Sequence, residues 1–186
     1  VMTFKDYFSG HAADYAMYRP RYPAALFAWL GEQCPQRDRV WDCATGNGQA
    51  AIALADHFQQ VVATDASVKQ LQQASSHPRV TYRVALAENS GIATHSLDLV
   101  TVAQAVHWFD LAAFYAEVKR VLKPAGMLAV WCYGRPHLAV APLDELLAQY
   151  YNDVLDDFWT PERRLVEAGY QPLTFPFAEI AAPSYT

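Results

Sequence analysis

The chain has 186 residues, of which 53% are hydrophobic, and its 14 Lys and Arg against 19 Asp and Glu give a formal net charge of −5. This length and composition predict a single domain with one buried core. The acidic balance disfavours a polynucleotide partner, because nucleic-acid-binding modules concentrate Lys and Arg on one face. The three cysteines lack metal-ligand spacing, and no apolar run approaches the roughly 18 residues that span a bilayer. We therefore expect a cytoplasmic protein without a metal site, a nucleic-acid partner or a membrane partner.

Strand and helix patterns alternate along the chain after an aromatic-rich arm at residues 1–22. Short apolar runs bounded by turn residues predict strands, and apolar positions three or four residues apart predict helices. The tail from residue 169 contains three prolines and no strand pattern. The strands are expected at 40–43, 61–64, 80–84, 97–102 and 127–132. The helices are expected from residue 23, at 49–58, at 67–74 with Ser67 as its cap, after the capping residue Asp110, at 143–155 and at 161–168.

Parallel strands need crossover helices, so this alternation predicts an α/β fold with a doubly wound, mainly parallel sheet. We interpret residues 1–186 as one domain with three parts. These are an arm or lid at 1–22, a core at 23–132, and a helical and irregular part at 133–186. In such a sheet, ligands lie over the carboxyl ends of the strands, here the first and the fourth.

The loop after the first predicted strand is the most informative segment, and residues 40–49 read V-W-D-C-A-T-G-N-G-Q. Glycines in such a loop let the backbone approach a ligand, and Asp65 after the next strand is placed to accept both hydroxyls of a ribose. Asp42 disfavours a pyrophosphate, which a carboxylate would repel, and residues 40–68 contain no Lys or Arg. The pattern predicts an adenosine ligand with a cationic tail, and S-adenosylmethionine is the obvious candidate.

Two later segments carry a resemblance to a known family. Residues 103–110 read A-Q-A-V-H-W-F-D, and residues 121–128 read V-L-K-P-A-G-M-L. Together with the glycine loop and the arm at 15–23, they resemble the class I S-adenosylmethionine-dependent methyltransferases. The similarity is to the small-molecule branch with methyltransferase type 11 domains, which includes trans-aconitate methyltransferase, and it covers nearly the whole chain.

The resemblance implies a role for each matching residue, with S-adenosylmethionine as cofactor and S-adenosylhomocysteine as product. The cofactor's methionine part would lie against Asp42, Ala44, Gly46, Gly48 and Gln104, its ribose against Asp65 and Ala66, and its adenine near Ala87 and Glu88. On the arm, Tyr15 and Arg19 would close over the carboxylate end of the cofactor, and the substrate would meet Tyr18, Tyr22, His107 and Trp108. Asp42 has a second interpretation, in which it only orients the loop.

The chain departs from the family pattern at three places. Ala44 stands where the loop usually has glycine, which costs little if that residue keeps a negative φ. Leu86 replaces an aspartate that many members carry before the Ala-Glu pair. The two antiparallel strands that normally complete the sheet have no counterpart after residue 132. We therefore expect a sheet that lacks them and a truncated chain.

The expected reaction is methyl transfer to a small molecule, with a carboxylic acid as one candidate acceptor. His107 is the candidate general base for an alcohol, phenol or amine, and the alternative is a packed structural histidine. A rival function is a non-catalytic protein that binds S-adenosylmethionine or S-adenosylhomocysteine and signals through a protein partner. A nicotinamide oxidoreductase is disfavoured by Asp42 and by Gln49, which stands where the third glycine belongs. The oligomeric state is not predicted.

Overall fold

The computed structural model describes residues 21–155 and 158–185. Its sheet has five strands, β1 (Arg39–Cys43), β2 (Gln60–Asp65), β3 (Val80–Val84), β4 (Leu97–Ala103) and β5 (Leu122–Trp131). Their order across the sheet is β3-β2-β1-β4-β5. The β1–β2, β1–β4 and β2–β3 pairs are parallel. The predicted doubly wound α/β class is confirmed.

Helices connect the strands, and two of them begin at side-chain caps that the sequence predicts. Ser67 Oγ accepts a hydrogen bond from the Gln70 amide at 3.3 Å, and Asp110 Oδ1 accepts one from the Ala113 amide at 3.2 Å. A 3-10 turn occupies Val106–Trp108, and a π-helical segment occupies Tyr150–Val154. The α-helices are α1 (Ala24–Gln33), α2 (Gln49–Leu54), α3 (Val68–Leu71), α4 (Leu111–Val121), α5 (Ala141–Gln149) and α6 (Arg163–Glu167).

Several predicted boundaries differ from the structure. The helix predicted over 67–74 ends at Leu71, and the one predicted over 143–155 ends at Gln149, where the π-helical segment begins. The helix predicted over 49–58 ends at Leu54, and residues 55–58 continue as turns in which the Phe58 amide donates to the Leu54 carbonyl. The strand predicted from residue 127 begins at Leu122, directly after α4. Pro124 explains the early start, because a residue that precedes proline avoids helical backbone and Lys123 therefore becomes extended as soon as the helix ends.

The core is built around β1, which has a strand on each side. Trp41 is fully buried, and its indole N–H donates to Thr64 Oγ1 of β2 at 2.8 Å. The same ring meets Phe114 of α4 edge-on, with 6.4 Å between the ring centroids. In β4, all residues from Leu97 to Val102 are buried. Continuous burial of this kind is expected for parallel strands whose two faces are both covered.

The described part of the chain divides into two compact units, one formed by residues 21–130 with 175–185 and the other by residues 131–155 with 158–174. In the second unit, the Arg163 guanidinium lies over the rings of Trp159 and Tyr151, at 4.5 and 5.5 Å from their centroids.

Within the described residues no strand follows β5, as the sequence predicts, and no helix is long and apolar enough to cross a membrane. A single domain over the whole chain stays a prediction.

A buried carboxylate fastens the beginnings of β1, β4 and β5. Asp98 is 5% exposed, and its Oδ2 accepts hydrogen bonds from the amides of Asp38 and Arg39 at 2.9 Å each. Its Oδ1 accepts a hydrogen bond from Lys123 Nζ at 2.7 Å, and the same ammonium lies 3.2 Å from the exposed carboxylate of Asp38. We call these four residues the Asp98 clip. The clip holds three strands in register at the end of the sheet where they begin.

Asp98→Asn should lower the free energy of unfolding by about 2–4 kcal/mol, because it leaves the Lys123 ammonium beside a buried neutral amide. The matched control is Asp38→Asn, which removes the exposed partner of the same ammonium and should change stability by about 0.5 kcal/mol or less. Urea unfolding of both variants measures the difference. Equal losses in the two variants would show that burial of Asp98 is not what makes the clip stabilising.

Candidate functional site

The candidate site lies where β1 and β4 are neighbours, since the order of the strands reverses at this point of the sheet. The residue that follows each of these strands has a positive φ, 56° at Ala44 and 57° at Gln104. Non-glycine residues seldom adopt this left-handed backbone, and such strain concentrates at functional sites. Alanine is expected to cost little stability at position 44 if its φ is negative. Because its φ is positive, that condition is not met.

Asp42 connects the glycine loop to β4. Its carboxyl is 1% exposed and lies opposite Thr101 of β4, whose hydroxyl donates to Asp42 Oδ1 at 2.9 Å. The hydroxyl of Thr45, inside the loop, donates to Asp42 Oδ2. Burial raises the pKa of Asp42 to about 6, although the two hydroxyl donors oppose that rise. These hydrogen bonds orient the loop, which is one of the two roles that the sequence left open.

Asp65 holds the same loop from the end of β2. Its Oδ2 accepts a hydrogen bond from the Gly46 amide at 2.8 Å, and its Oδ1 accepts one from the Ser67 amide at 2.8 Å. Ala66, between the two, is half-buried. Asp65 therefore joins the glycine loop to the start of helix α3 at the carboxyl end of β2.

Gly48 sits where the loop becomes helix α2. Its φ is 85°, and a Cβ atom at this position would overlap the hydroxyl of Tyr82, a residue of β3. That hydroxyl is held in place because it donates a hydrogen bond to the Ser75 carbonyl at 3.0 Å. Both the backbone conformation and the neighbouring side chain therefore require glycine at this position. Tyr82 fixes how closely the start of α2 approaches β3.

A narrow cleft of about 10 Å³ lies above the loop, which is room for about one water molecule. Asp42, Ala44 and Tyr22 contribute to its walls, together with Asn47 and Gln49. Asn47 Oδ1 and Gln49 Oε1 are buried and have no hydrogen-bond partner among the residues that the structure describes. Buried acceptors without donors are costly, so they favour a ligand that brings N–H groups. With Asp42 beside them, the cleft favours a cationic group.

The loop after β3 carries the two residues that the sequence places near an adenine. Ala87 is buried and Glu88 half-buried, and Glu88 Oε1 accepts a hydrogen bond from the Asp110 amide at 3.0 Å. The Ala85 amide donates to the Asp65 carbonyl at 3.1 Å. The structure therefore brings Ala87 and Glu88 to the same edge of the sheet as Asp65.

The residues predicted to meet the substrate are only partly described. His107 and Trp108 lie in the 3-10 turn after β4, with their ring centroids 4.6 Å apart, and Trp108 is 36% exposed. Tyr22 borders the cleft. Where the chain is described, no group of three or more His, Cys, Asp or Glu side chains is arranged to hold a metal ion. Three further predicted residues, Tyr15, Tyr18 and Arg19, lie outside the described residues.

Sequence reasoning missed four side chains of the site, namely Thr45, Thr101, Asn47 and Gln49. Thr101 left a signal, because a hydroxyl inside the apolar run of β4 needs a hydrogen-bond partner once it is buried. Asn47 and Gln49 left none, since an asparagine in a turn and a glutamine at a helix start are ordinary solvent-exposed choices.

Ala44→Gly should raise the free energy of unfolding by about 0.5–1 kcal/mol, because glycine removes the Cβ strain at φ 56° while giving the unfolded chain more entropy. The control is Ala53→Gly inside helix α2, which should lower it by about 1 kcal/mol. Thermal or urea unfolding of both variants tests this. A loss at position 44 similar to that at position 53 would contradict the left-handed conformation.

Asp42→Asn should change how stability depends on pH. The pKa of Asp42 is raised from 3.8 to about 6, so the folded chain binds this proton more tightly than the unfolded chain. The contribution of Asp42 to stability is therefore fully present below about pH 4 and is lost as the pH rises through 6. Asparagine cannot ionise, so the Asp42→Asn variant does not lose this contribution. Its free energy of unfolding relative to that of the parent chain should therefore increase by up to about 3 kcal/mol between pH 4 and 7.

Urea unfolding of the parent chain and of Asp42→Asn across this pH range measures that difference. Asp56→Asn, which neutralises an exposed carboxylate in the turn after α2, controls for the loss of one charge. A difference between Asp42→Asn and the parent that is independent of pH would rule out a raised pKa in the folded state.

Comparison with known proteins agrees with this architecture. A family model described as a methyltransferase domain matches residues 41–130. A solved structure from Anaeromyxobacter dehalogenans, described as a type II methyltransferase, is 46% identical and superposes with a TM-score of 0.83 over 89% of this chain and 70% of that chain. A Dictyostelium discoideum protein named as a methyltransferase is 35% identical over 90% of this chain and 65% of its own length. The chain thus spans slightly less than two thirds of that relative.

A more distant structure shows the same fold. Haemonchus contortus phosphoethanolamine N-methyltransferase 2, solved with phosphomonomethylethanolamine and S-adenosylhomocysteine, is 24% identical, with a TM-score of 0.60 over 80% of this chain and 40% of that chain. The sheet order, the glycine loop and these similarities together show that the chain belongs to the class I S-adenosylmethionine-dependent methyltransferase family.

Proposed function

We propose that the chain binds S-adenosylmethionine and directs transfer of its methyl group to a small-molecule acceptor. The observation that carries this proposal is the set of buried acceptors at the glycine loop, formed by Asp42, Asn47 Oδ1 and Gln49 Oε1. S-adenosylmethionine supplies a methyl group on a positively charged sulfur, next to an ammonium. These acceptors would bind such a cationic tail, whereas Asp42 would repel the pyrophosphate of a dinucleotide.

The remaining cofactor contacts follow from the loops at the same edge of the sheet. Asp65 would accept the ribose hydroxyls beside Ala66, because it lies at the carboxyl end of β2 and already contacts the glycine loop through the Gly46 amide. Ala87 and Glu88 would meet the adenine. Gln104, at the strained end of β4, would contact the methionine part. Beyond the described residues, Tyr15 and Arg19 would close over the carboxylate end, and S-adenosylhomocysteine would leave as product.

A carboxylic acid is the acceptor class that we propose first, in keeping with the trans-aconitate methyltransferase branch that the sequence resembles. A carboxylate is already ionised at neutral pH, so the enzyme needs only to align it with the methyl group and exclude water. Tyr18, Tyr22 and Trp108 would supply flat apolar walls for the acceptor. His107 would remove a proton only if the acceptor were an alcohol, phenol or amine.

Asp65→Ala should weaken binding of S-adenosylmethionine and S-adenosylhomocysteine by roughly 1–3 kcal/mol, because the ribose hydroxyls would lose a charged acceptor. Isothermal titration calorimetry measures both affinities. Asp56→Ala, which removes an exposed aspartate from the turn after α2, is the control and should leave them unchanged. Because Asp65 also holds Gly46 and Ser67, the thermal stability of each variant is measured without ligand. An unchanged dissociation constant in Asp65→Ala would remove Asp65 from the site.

The same titrations include NAD, and methyl transfer is then assayed against a panel of carboxylic acids, phenols and amines. Affinity for NAD above that for S-adenosylmethionine would overturn the proposed cofactor. Tight binding of S-adenosylmethionine without transfer to any acceptor would favour the non-catalytic alternative, in which the bound chain signals to a protein partner.

A further inference from the structure

The segment that joins β3 to β4 is held by one ion pair on helix α4. Glu117 is 7% exposed, and its Oε1 accepts hydrogen bonds from the Ser90 amide at 2.9 Å and from the Ser90 hydroxyl. Arg120 donates to both Glu117 oxygens, from Nε at 2.8 Å and from a terminal nitrogen at 2.7 Å. Arg120 and Ser90 lower the pKa of Glu117 to about 2, so the carboxylate remains ionised at neutral pH.

The same guanidinium reaches further along the segment. Arg120 donates to the Ile92 carbonyl at 2.7 Å and to Thr94 Oγ1 at 3.1 Å. The Ile92 amide in turn donates to Ser90 Oγ at 3.1 Å. We call Glu117, Arg120 and the groups of residues 90–94 that they bind the Glu117 anchor. The anchor binds three residues of this five-residue segment, Ser90, Ile92 and Thr94, through hydrogen bonds to two side chains one helical turn apart.

The anchor lies next to the residues proposed to meet the adenine. Ser90 is two positions from Glu88, and residues 86–89 form a tight turn in which the Asn89 amide donates to the Leu86 carbonyl at 3.2 Å. The other end of this turn is held by the Ala85 amide, which donates to the Asp65 carbonyl. The turn that contains Ala87 and Glu88 is therefore held at one end by Asp65 and at the other by the Glu117 anchor.

The Glu117 carboxylate is buried, whereas the Arg120 side chain is 39% exposed, so the ion pair adds little net stability while its hydrogen bonds fix the position of the carboxylate. A base-reading group must be placed within about 0.5 Å to discriminate between similar ligands. The Glu88 carboxylate can accept a hydrogen bond from the 6-amino group of adenine, and it would repel the 6-carbonyl oxygen of hypoxanthine. Discrimination between these two bases therefore depends on where the 86–89 turn is held.

We propose that Glu117 is a positioning residue for base specificity. It fixes Ser90, and through Ser90 it holds Glu88 and Ala87 where they select a 6-aminopurine over a 6-oxopurine. This inference rests on the proposed function, because it assumes that an adenosine-containing cofactor occupies the site.

The test compares S-adenosylhomocysteine with S-inosylhomocysteine by calorimetry at pH 7.5. In the inosine form a 6-oxo group replaces the 6-amino group and N1 carries a hydrogen. The parent chain should prefer the adenine form. Glu117→Gln should bind S-adenosylhomocysteine about tenfold more weakly and lose most of that preference. Ser90→Ala, a smaller change that keeps the ion pair, should reduce the preference by an intermediate factor and serves if Glu117→Gln does not fold.

Asp98→Asn is the matched control, because it also converts a buried carboxylate with one cationic and two N–H or O–H partners into an amide. It lies at the opposite end of the sheet, so it should lower stability while leaving the preference for adenine intact. A full adenine preference in Glu117→Gln and Ser90→Ala would overturn the inference, as would an equal loss of preference in Asp98→Asn. If the parent chain bound neither nucleoside, the proposed function would fail and this inference with it.

Discussion

Burial of the Asp42 carboxylate is the constraint around which the candidate site is organised. An acid at the carboxyl end of a central strand, removed from water, must receive hydrogen bonds from its immediate surroundings. One donor comes from Thr45 in the loop and the other from Thr101 on the neighbouring strand. These two bonds define where the loop leaves the sheet, and they position the amides and side chains that follow. The donors are neutral, so they satisfy the carboxylate without cancelling its charge.

The buried acids of the described chain fall into two classes that match their locations. Asp98 and Glu117 lie away from the cleft, and each is paired with a cation, Lys123 or Arg120. Asp42 borders the cleft, and its described hydrogen bonds come from hydroxyls. A neighbouring cation cancels most of the electrostatic attraction that an acid could exert on a cationic ligand. An acid that is hydrogen-bonded to neutral hydroxyls keeps that attraction. The fold therefore separates the acids that are paired with a cation from the acid that can attract a cationic ligand.

The fold was predictable from local patterns because strands and helices differ in period. Strand β3 has the predicted bounds, and Ser67 and Asp110 cap helices as expected, since capping depends on residues within one turn. The glycine loop and Asp65 were also readable, because their spacing is a property of the sequence. The partnership of Asp42 with Thr101 was not, because it depends on the register of two strands 59 positions apart. The Glu117 anchor likewise joins segments that only the folded chain brings together.

The strained backbone at Ala44 and the buried charge of Asp42 also tie the survival of the folded chain to its ligand. The shift in the pKa of Asp42 corresponds to about 3 kcal/mol at neutral pH, a large share of the 5–15 kcal/mol that stabilises a typical domain. A ligand that binds only the folded state and is present at about 100 times its dissociation constant contributes about 2.7 kcal/mol. Under the proposed function, the supply of methyl donor would thus offset the penalty built into its own site, and cells short of the donor would hold less folded protein.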